Sequence, residues 1–292
     1  MTALGQRVIG QPRAVDVAGL RWAVQTAGSG PALLLLHGFT GSGRSWEGGL
    51  AEAAIGSGFG VVAPDLPGHG GTAWRAGGAG SPDEPSRAAI ERVADDLAEL
   101  LRVLGHDRAH VVGYSMGARV ALRLAISHPD CVRSLVLEAP SAGFEDAADR
   151  AARWAADDAL ARTLERDGIE SFVDSWERTP VLAGEARLGP KTRAALREIR
   201  LSHDPAGLAA SLRAAGQAAM EPLHHRLAEV TAPTLVVVGA DDPVRERAAA
   251  VAAVVPGARL AMIDGAGHAP HLEAPDAYCR LILDFLEEDH VA

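Results

Sequence analysis

The segment Ala109-His-Val-Val-Gly-Tyr-Ser-Met-Gly-Ala-Arg-Val-Ala-Leu122 joins an apolar run, a glycine-flanked serine and a helical pattern without a break. Ala109 to Val112 has the length and character of a strand buried on both faces, as in a parallel sheet. From Met116 the pattern becomes helical, and the helix must end by His128 because Pro129 blocks continuation. Between them, Gly113-Tyr114-Ser115-Met116-Gly117 fits G-x-S-x-G. So tight a strand-to-helix turn strains its central residue, and glycines two positions either side let chain and helix approach closely. Ser115 then stands above the sheet at a helix N-terminus, where backbone N–H groups favour developing negative charge.

Working outward, further short apolar runs have the same strand character: Ala32 to Leu36, Val61 to Ala63, Ser134 to Leu137, Thr234 to Val238 and Arg259 to Ile263. We read all of these as buried strands. Val15 to Val24 reads as an antiparallel leading pair turning at Gly19. Ile90, Val93, Leu97, Leu100, Leu101 and Leu104 recur at steps of three and four, the apolar stripe of a helix on a sheet, with Gly105 as its C-cap. Strand, helix and strand joined by short loops make right-handed βαβ units, hence an α/β fold with a mostly parallel, doubly wound sheet. The rhythm stops between about Ser141 and Leu227, where only helical patterns occur: Ala147 to Arg166, Ile169 to Glu177, Pro190 to Leu201 and Leu208 to Ala219. We therefore expect a core of residues 1–140 and 228–292 carrying a helical cap, 141–227, inserted between strands.

Partners for Ser115 follow from position. Gly265-Ala-Gly267-His268 comes after the last strand and supplies the best-placed general base among eleven histidines, with His271 three residues on as the competitor. Gly239-Ala-Asp241-Asp242-Pro243 follows the strand Thr234 to Val238, and either carboxylate could orient the imidazole. Asp242 is favoured because such loops place the acid third after the glycine. The chain order Ser, Asp, His is that of the α/β-hydrolase fold. His37-Gly38-Phe39 follows the first parallel strand, which puts the backbone N–H groups of Phe39 and Met116 in position as an oxyanion hole. His37 and His69 read as bracing residues of their turns, and His224 and His225 as surface residues.

Composition narrows the partners. The chain of 292 residues is 48% hydrophobic, enough for a packed core, and its net charge of −10 with no basic run argues against a nucleic-acid partner. No apolar run approaches a membrane span, and the first ten residues lack the apolar core of a signal peptide. Cys131 and Cys279 show no metal-ligand spacing and no disulfide framework. The expectation is a cytoplasmic enzyme without metal or cofactor, acting on a small molecule. Gly77 to Pro85 reads as a mobile surface loop.

Three motifs together resemble one family. His37-Gly-Phe-Thr-Gly-Ser-Gly-Arg-Ser-Trp46, Asp65-Leu-Pro-Gly-His-Gly-Gly-Thr72 and Gly113-Tyr-Ser-Met-Gly-Ala-Arg119 look like the 2-succinyl-6-hydroxy-2,4-cyclohexadiene-1-carboxylate synthases (MenH) of menaquinone biosynthesis. So do Glu170-Ser-Phe-Val-Asp-Ser-Trp176 and Arg200-Leu-Ser-His-Asp-Pro-Ala-Gly-Leu-Ala209 in the expected cap. The resemblance implies a lyase that eliminates pyruvate, with Ser115 and His268 acting as a base instead of forming an acyl-enzyme. It further implies a small anionic substrate held by Tyr114, Arg119, Arg153, Trp176 and Arg200. Arginine suits the task because its planar fork pairs bidentately with carboxylate. Two departures are visible: Ala118 replaces a second glycine, and Pro243-Val-Arg replaces a more charged stretch. A serine esterase or carbon–carbon bond hydrolase, with Ser115 as acyl nucleophile, is the alternative use of the triad. A non-enzymatic ligand binder would not need all three residues.

Overall fold

The computed structural model describes residues 9–74 and 85–288. The Gly77 to Pro85 loop and the first residues of the chain therefore lie largely outside the described residues. A hairpin leads the fold: β1 (Arg13–Val17) and β2 (Leu20–Ala27) pair antiparallel around Ala18 and Gly19. Both turn residues have positive φ (51° and 84°), the backbone of a two-residue turn whose twist matches that of paired strands. The remaining strands are β3 (Ala32–Leu36), β4 (Gly60–Pro64), β5 (Ala73–Trp74), β6 (Ala109–Tyr114), β7 (Val132–Glu138), β8 (Thr234–Gly239) and β9 (Arg259–Ile263). They form one sheet in the order β1-β2-β4-β3-β6-β7-β8-β9, with the short β5 paired to β2. Every pair from β4 to β9 along that order is parallel.

The helices are α1 (Leu50–Gly56), α2 (Ile90–Val103), α3 (Met116–Ser127), α4 (Ala147–Trp176), α5 (Pro190–Leu201), α6 (Pro205–Ala215), α7 (Arg245–Val254), the single turn α8 (Pro270–Glu273) and α9 (Pro275–Glu288). Alternation along β3 shows why the sheet is covered twice. Leu34 and Leu36 join the core of α2, α3 and α7, whereas Leu33 and Leu35 join that of α1 and α9. All four leucines are fully buried, which stabilises the fold by roughly 1.5–3 kcal/mol for each such side chain. None of the helices among the described residues is long and apolar enough to cross a membrane.

Two expectations need correction here. β9 is an edge strand, not a buried one: among the described residues it pairs with β8 alone, and Leu260 and Met262 on it are exposed. The last helix between β7 and β8 begins earlier and ends earlier than the apolar pattern suggested. The Asp204 side chain caps it by accepting from the Gly207 N–H, and it stops before Gly216. The break expected between Arg166 and Ile169 falls at Gly168 (φ 79°, ψ 178°), so α4 is two helical stretches joined at a kink. No strand occurs between β7 and β8. Instead α4, α5 and α6 meet around a small apolar centre including Leu164, Phe172, Val173 and Leu208.

Candidate active site

Ser115 sits where β6 gives way to α3, with φ 51° and ψ −103°. A left-handed conformation at a residue with a Cβ costs of order 1–3 kcal/mol, so the surroundings must impose it. Its N–H donates to the Glu138 carbonyl (2.8 Å) at the end of β7. Gly117 lets α3 lie against β3: a Cβ there would stand 2.1 Å from the Leu36 carbonyl oxygen. Ala118, the departure in this motif, buries its methyl in the larger apolar core.

The acid and histidine loops are joined in the same way. A Cβ on Gly239 would lie 2.1 Å from the Gly267 carbonyl oxygen, and the Asp241 N–H donates to the Ala266 carbonyl (2.9 Å). That approach places His268 Nε2 3.0 Å from Ser115 Oγ and His268 Nδ1 2.9 Å from Asp242 Oδ2. With Nδ1–H donated to a carboxylate, Nε2 keeps its lone pair facing the serine hydroxyl. Asp242 is fully buried, and its other oxygen accepts from the Val244 N–H (2.9 Å). Asp241 is exposed and faces Arg187 at 4.0 Å, so the acid touching the imidazole is Asp242. His271 is buried against Glu138 (Nδ1 to Oε1, 2.7 Å) and its ring is 4.7 Å from that of Tyr114. His224 lies 3.9 Å from Glu145, away from Ser115 and His268.

A residue the sequence did not single out holds the histidine loop. Glu273, 3% exposed, accepts from the N–H groups of Gly267 (2.9 Å) and Ala269 (3.1 Å), one on each side of His268. Arg187, from the helical segment, donates to the same carboxylate (2.8 Å) and to the Gly265 carbonyl (3.1 Å). The position of Glu273 five residues after His268 was the available signal.

His37 braces its loop, as expected. Its Nε2 accepts from the Leu66 N–H (2.9 Å) and its Nδ1–H donates to the Gly38 carbonyl (2.8 Å). Complete burial, with His203 nearby as a smaller cause, pushes the imidazole down to about 3. His203 ties the same region to the helical segment, accepting from the Gly70 N–H and donating to the Thr40 carbonyl, both at 2.9 Å.

Above Ser115 lies a cavity of about 450 Å³, bordered by Phe39, Met116, Tyr114 and His268. Trp176 forms part of its wall, stacked on Phe172 (5.8 Å between centroids) and fixed by its indole N–H donating to Thr40 Oγ1 (3.1 Å). Arg119 also borders the cavity, although a helical arginine is ordinarily solvated: it is 6% exposed and donates to the Ala215 carbonyl (2.5 Å). Among the described residues no carboxylate lies within ion-pair distance of it. Burial, then the positive charge of Arg153, push its guanidinium down to about 9. Arg153 borders the cavity too and is paired with Asp157 (2.9 Å).

Arg200 does not join them. It is buried in an adjoining hollow beside Tyr114, its Nη2 donating to both carboxylate oxygens of Glu185 (2.6 and 2.8 Å) and its Nη1 to Glu177 (3.2 Å). A further cation missed in the sequence, Arg247 on α7, does border the cavity. The signal for it was its place in the first turns after the acid loop.

Comparison with known proteins agrees with this geometry. Residues 31–275 match the α/β-hydrolase fold family. A putative 2-succinyl-6-hydroxy-2,4-cyclohexadiene-1-carboxylate synthase of Bacillus subtilis (strain 168) is 34% identical over 92% of this chain and 95% of its own length. The structure of MenH from S. aureus superposes with a TM-score of 0.83 at 31% identity, covering 91% of this chain and 98% of that one. The chain belongs to the MenH family of the α/β-hydrolase fold. Likeness within the fold extends further: a thermophilic esterase from Thermogutta terrifontis gives a TM-score of 0.80 at 28% identity, over 97% of this chain and all of that one. Against the family pattern, the altered acid loop at Pro243-Val-Arg leaves the Asp242 to His268 contact intact.

Proposed function

We propose that this chain eliminates pyruvate from 2-succinyl-5-enolpyruvyl-6-hydroxy-3-cyclohexene-1-carboxylate, the reaction for which its relatives are named. The observation that carries it is Arg119: a buried guanidinium with no carboxylate at ion-pair distance among the described residues, bordering the same cavity as Ser115. Burying an uncompensated charge is costly, and a substrate carboxylate removes that cost. The substrate carries three carboxylates.

Ser115, Asp242 and His268 work as one base. His268 Nε2 takes the serine proton, Asp242 holds the tautomer and stabilises the imidazolium, and the serine oxygen removes the ring proton beside the succinyl carbonyl. The electron pair moves onto that carbonyl oxygen, where the N–H groups of Phe39 and Met116 stabilise it. Met116 is the first residue of α3, so its N–H has no acceptor within the helix. As the charge returns, a double bond forms between C2 and C3, the C3–C4 double bond shifts to C4–C5, the bond from C5 to the enolpyruvyl oxygen breaks, and pyruvate leaves as its enolate. The proton on His268 balances that enolate. Residues 141–227 act as a cap over the core of 1–140 and 228–292, with Trp176 and Arg153 as its contribution to substrate. The unpaired thiols Cys131 and Cys279 fit a cytoplasmic enzyme.

The test is pyruvate release from the substrate generated in situ, with Ser115→Ala as control and a panel of p-nitrophenyl esters in parallel. Rapid release lost in Ser115→Ala, with weak ester turnover, is the expected result. Efficient ester cleavage without pyruvate would make Ser115 an acyl nucleophile and the chain a serine hydrolase.

A further inference from the structure

One cation at the cavity has no role in the reaction described above. Arg247 is half-buried on α7, five residues after Asp242. Its Nη1 donates to Gln217 Oε1 (2.7 Å), and its guanidinium carbon lies 4.9 Å from the centroid of the Phe144 ring. Both partners are neutral and both come from the segment between β7 and β8. They orient the planar fork without neutralising it, which is what a carboxylate site requires. None of the ion pairs among the described residues includes Arg247.

The charge balance of the cavity points the same way. Its lining carries the guanidiniums of Arg119, Arg153 and Arg247 against the single carboxylate of Asp157, a sum of +2 over these four groups. That excess stands within a chain of net charge −10. Burial and the charge of Arg153 disfavour the charged forms of both other guanidiniums, offset in part by Asp157 at Arg119 and by Asp149 and Asp242 at Arg247. Arg200 is not part of this lining: its guanidinium is bonded to Glu185 and Glu177 in the adjoining hollow.

We propose that Arg247 is a substrate-carboxylate subsite of this cavity. The proposal rests on the anionic-substrate reading of the same cavity and adds to it the residue, oriented by Gln217 and Phe144, that selects a polycarboxylate.

Two measurements test it. In the pyruvate-release assay Arg247→Gln raises KM roughly 10- to 100-fold, the loss of one charged hydrogen-bonding contact, with kcat changed less than about threefold. Arg245→Gln, an exposed neighbour on the same helix paired at the surface with Glu246, is the control for lost charge and leaves KM within about twofold. Equal KM shifts in the two variants would overturn the subsite. The second measurement needs no turnover: citrate, a tricarboxylate, is titrated into each protein while tryptophan fluorescence is followed, Trp176 being part of the cavity wall. Saturable binding by the wild type and Arg245→Gln, weakened about tenfold or more in Arg247→Gln, is expected. Unchanged citrate affinity in Arg247→Gln, or no saturable binding by the wild type, refutes the subsite. Arg247-dependent citrate binding without pyruvate release would uphold the subsite and refute the reaction alone.

Discussion

Replacing Arg119 by methionine should make this protein more stable and worse at its task. The guanidinium is 6% exposed, and burial with repulsion from Arg153 brings its pKa from the ordinary arginine value to about 9. That displacement is a penalty on the order of 5 kcal/mol on the charged form, since each pKa unit is worth about 1.36 kcal/mol. The sign is unfavourable at pH 7, where the group is charged in both the folded and unfolded states and the folded state disfavours the charge. Methionine keeps an apolar stem of similar length, and removes the charge together with the hydrogen bond to the Ala215 carbonyl. Leaving that carbonyl unpaired costs about 1–3 kcal/mol. The net expectation is a gain on the order of 2–4 kcal/mol in unfolding free energy, read from urea denaturation at pH 7. Substrate affinity moves the other way, with KM for the tricarboxylate rising roughly 10- to 150-fold for a lost charged contact of about 1.5–3 kcal/mol. A destabilised Arg119→Met, or one with unchanged KM, would refute the argument that Arg119 is a buried charge kept for an anion.

Asp242→Asn, which keeps the shape but lets the imidazole take the wrong tautomer, should lower kcat by about 10³- to 10⁴-fold with little change in KM, measured by pyruvate release. Glu273→Ala leaves the N–H groups of Gly267 and Ala269 without their acceptor, so kcat should fall while KM holds. Its thermal midpoint should drop by the equivalent of about 1–3 kcal/mol for each orphaned group, and an unmoved kcat would mean that His268 is held by other contacts. For His37 the folded imidazole, at about 3, refuses a proton that the unfolded chain binds below about 6.5. Stability should therefore decline as pH falls from about 6.5 towards 3, by up to about 5 kcal/mol from this one group. His69, also pushed well below the ordinary value by burial, adds to the decline. His69→Phe should flatten a series of urea midpoints against pH, and an unchanged slope would show that its protonation is not part of acid unfolding.

The sequence carried the architecture because that part of the problem is local. A strand buried on both faces has to be a short apolar run, a helix on a sheet has to repeat every three or four residues, and the serine turn has to be flanked by glycine. Ser115 and His268 were legible for the same reason, each lying in the loop directly after a strand. Asp242 was distinguishable from Asp241 only as a preference; the three-dimensional contact separates the buried carboxylate on the imidazole from the exposed one near Arg187. What sequence could not supply was the pairing of charges across distant elements. Arg200 and Arg247 are equally basic as letters. Only the fold brings Glu177 and Glu185 onto the first, and leaves the second with neutral Gln217 and Phe144. The exposure of β9 was likewise decided by its place at the border of the sheet, since an apolar strand reads the same whether or not a neighbour covers it. Backbone preference and apolar periodicity act over a few residues, so they can be read along the chain. Which guanidinium remains free for a ligand depends on side chains that meet only after the sheet and the helices above it have closed.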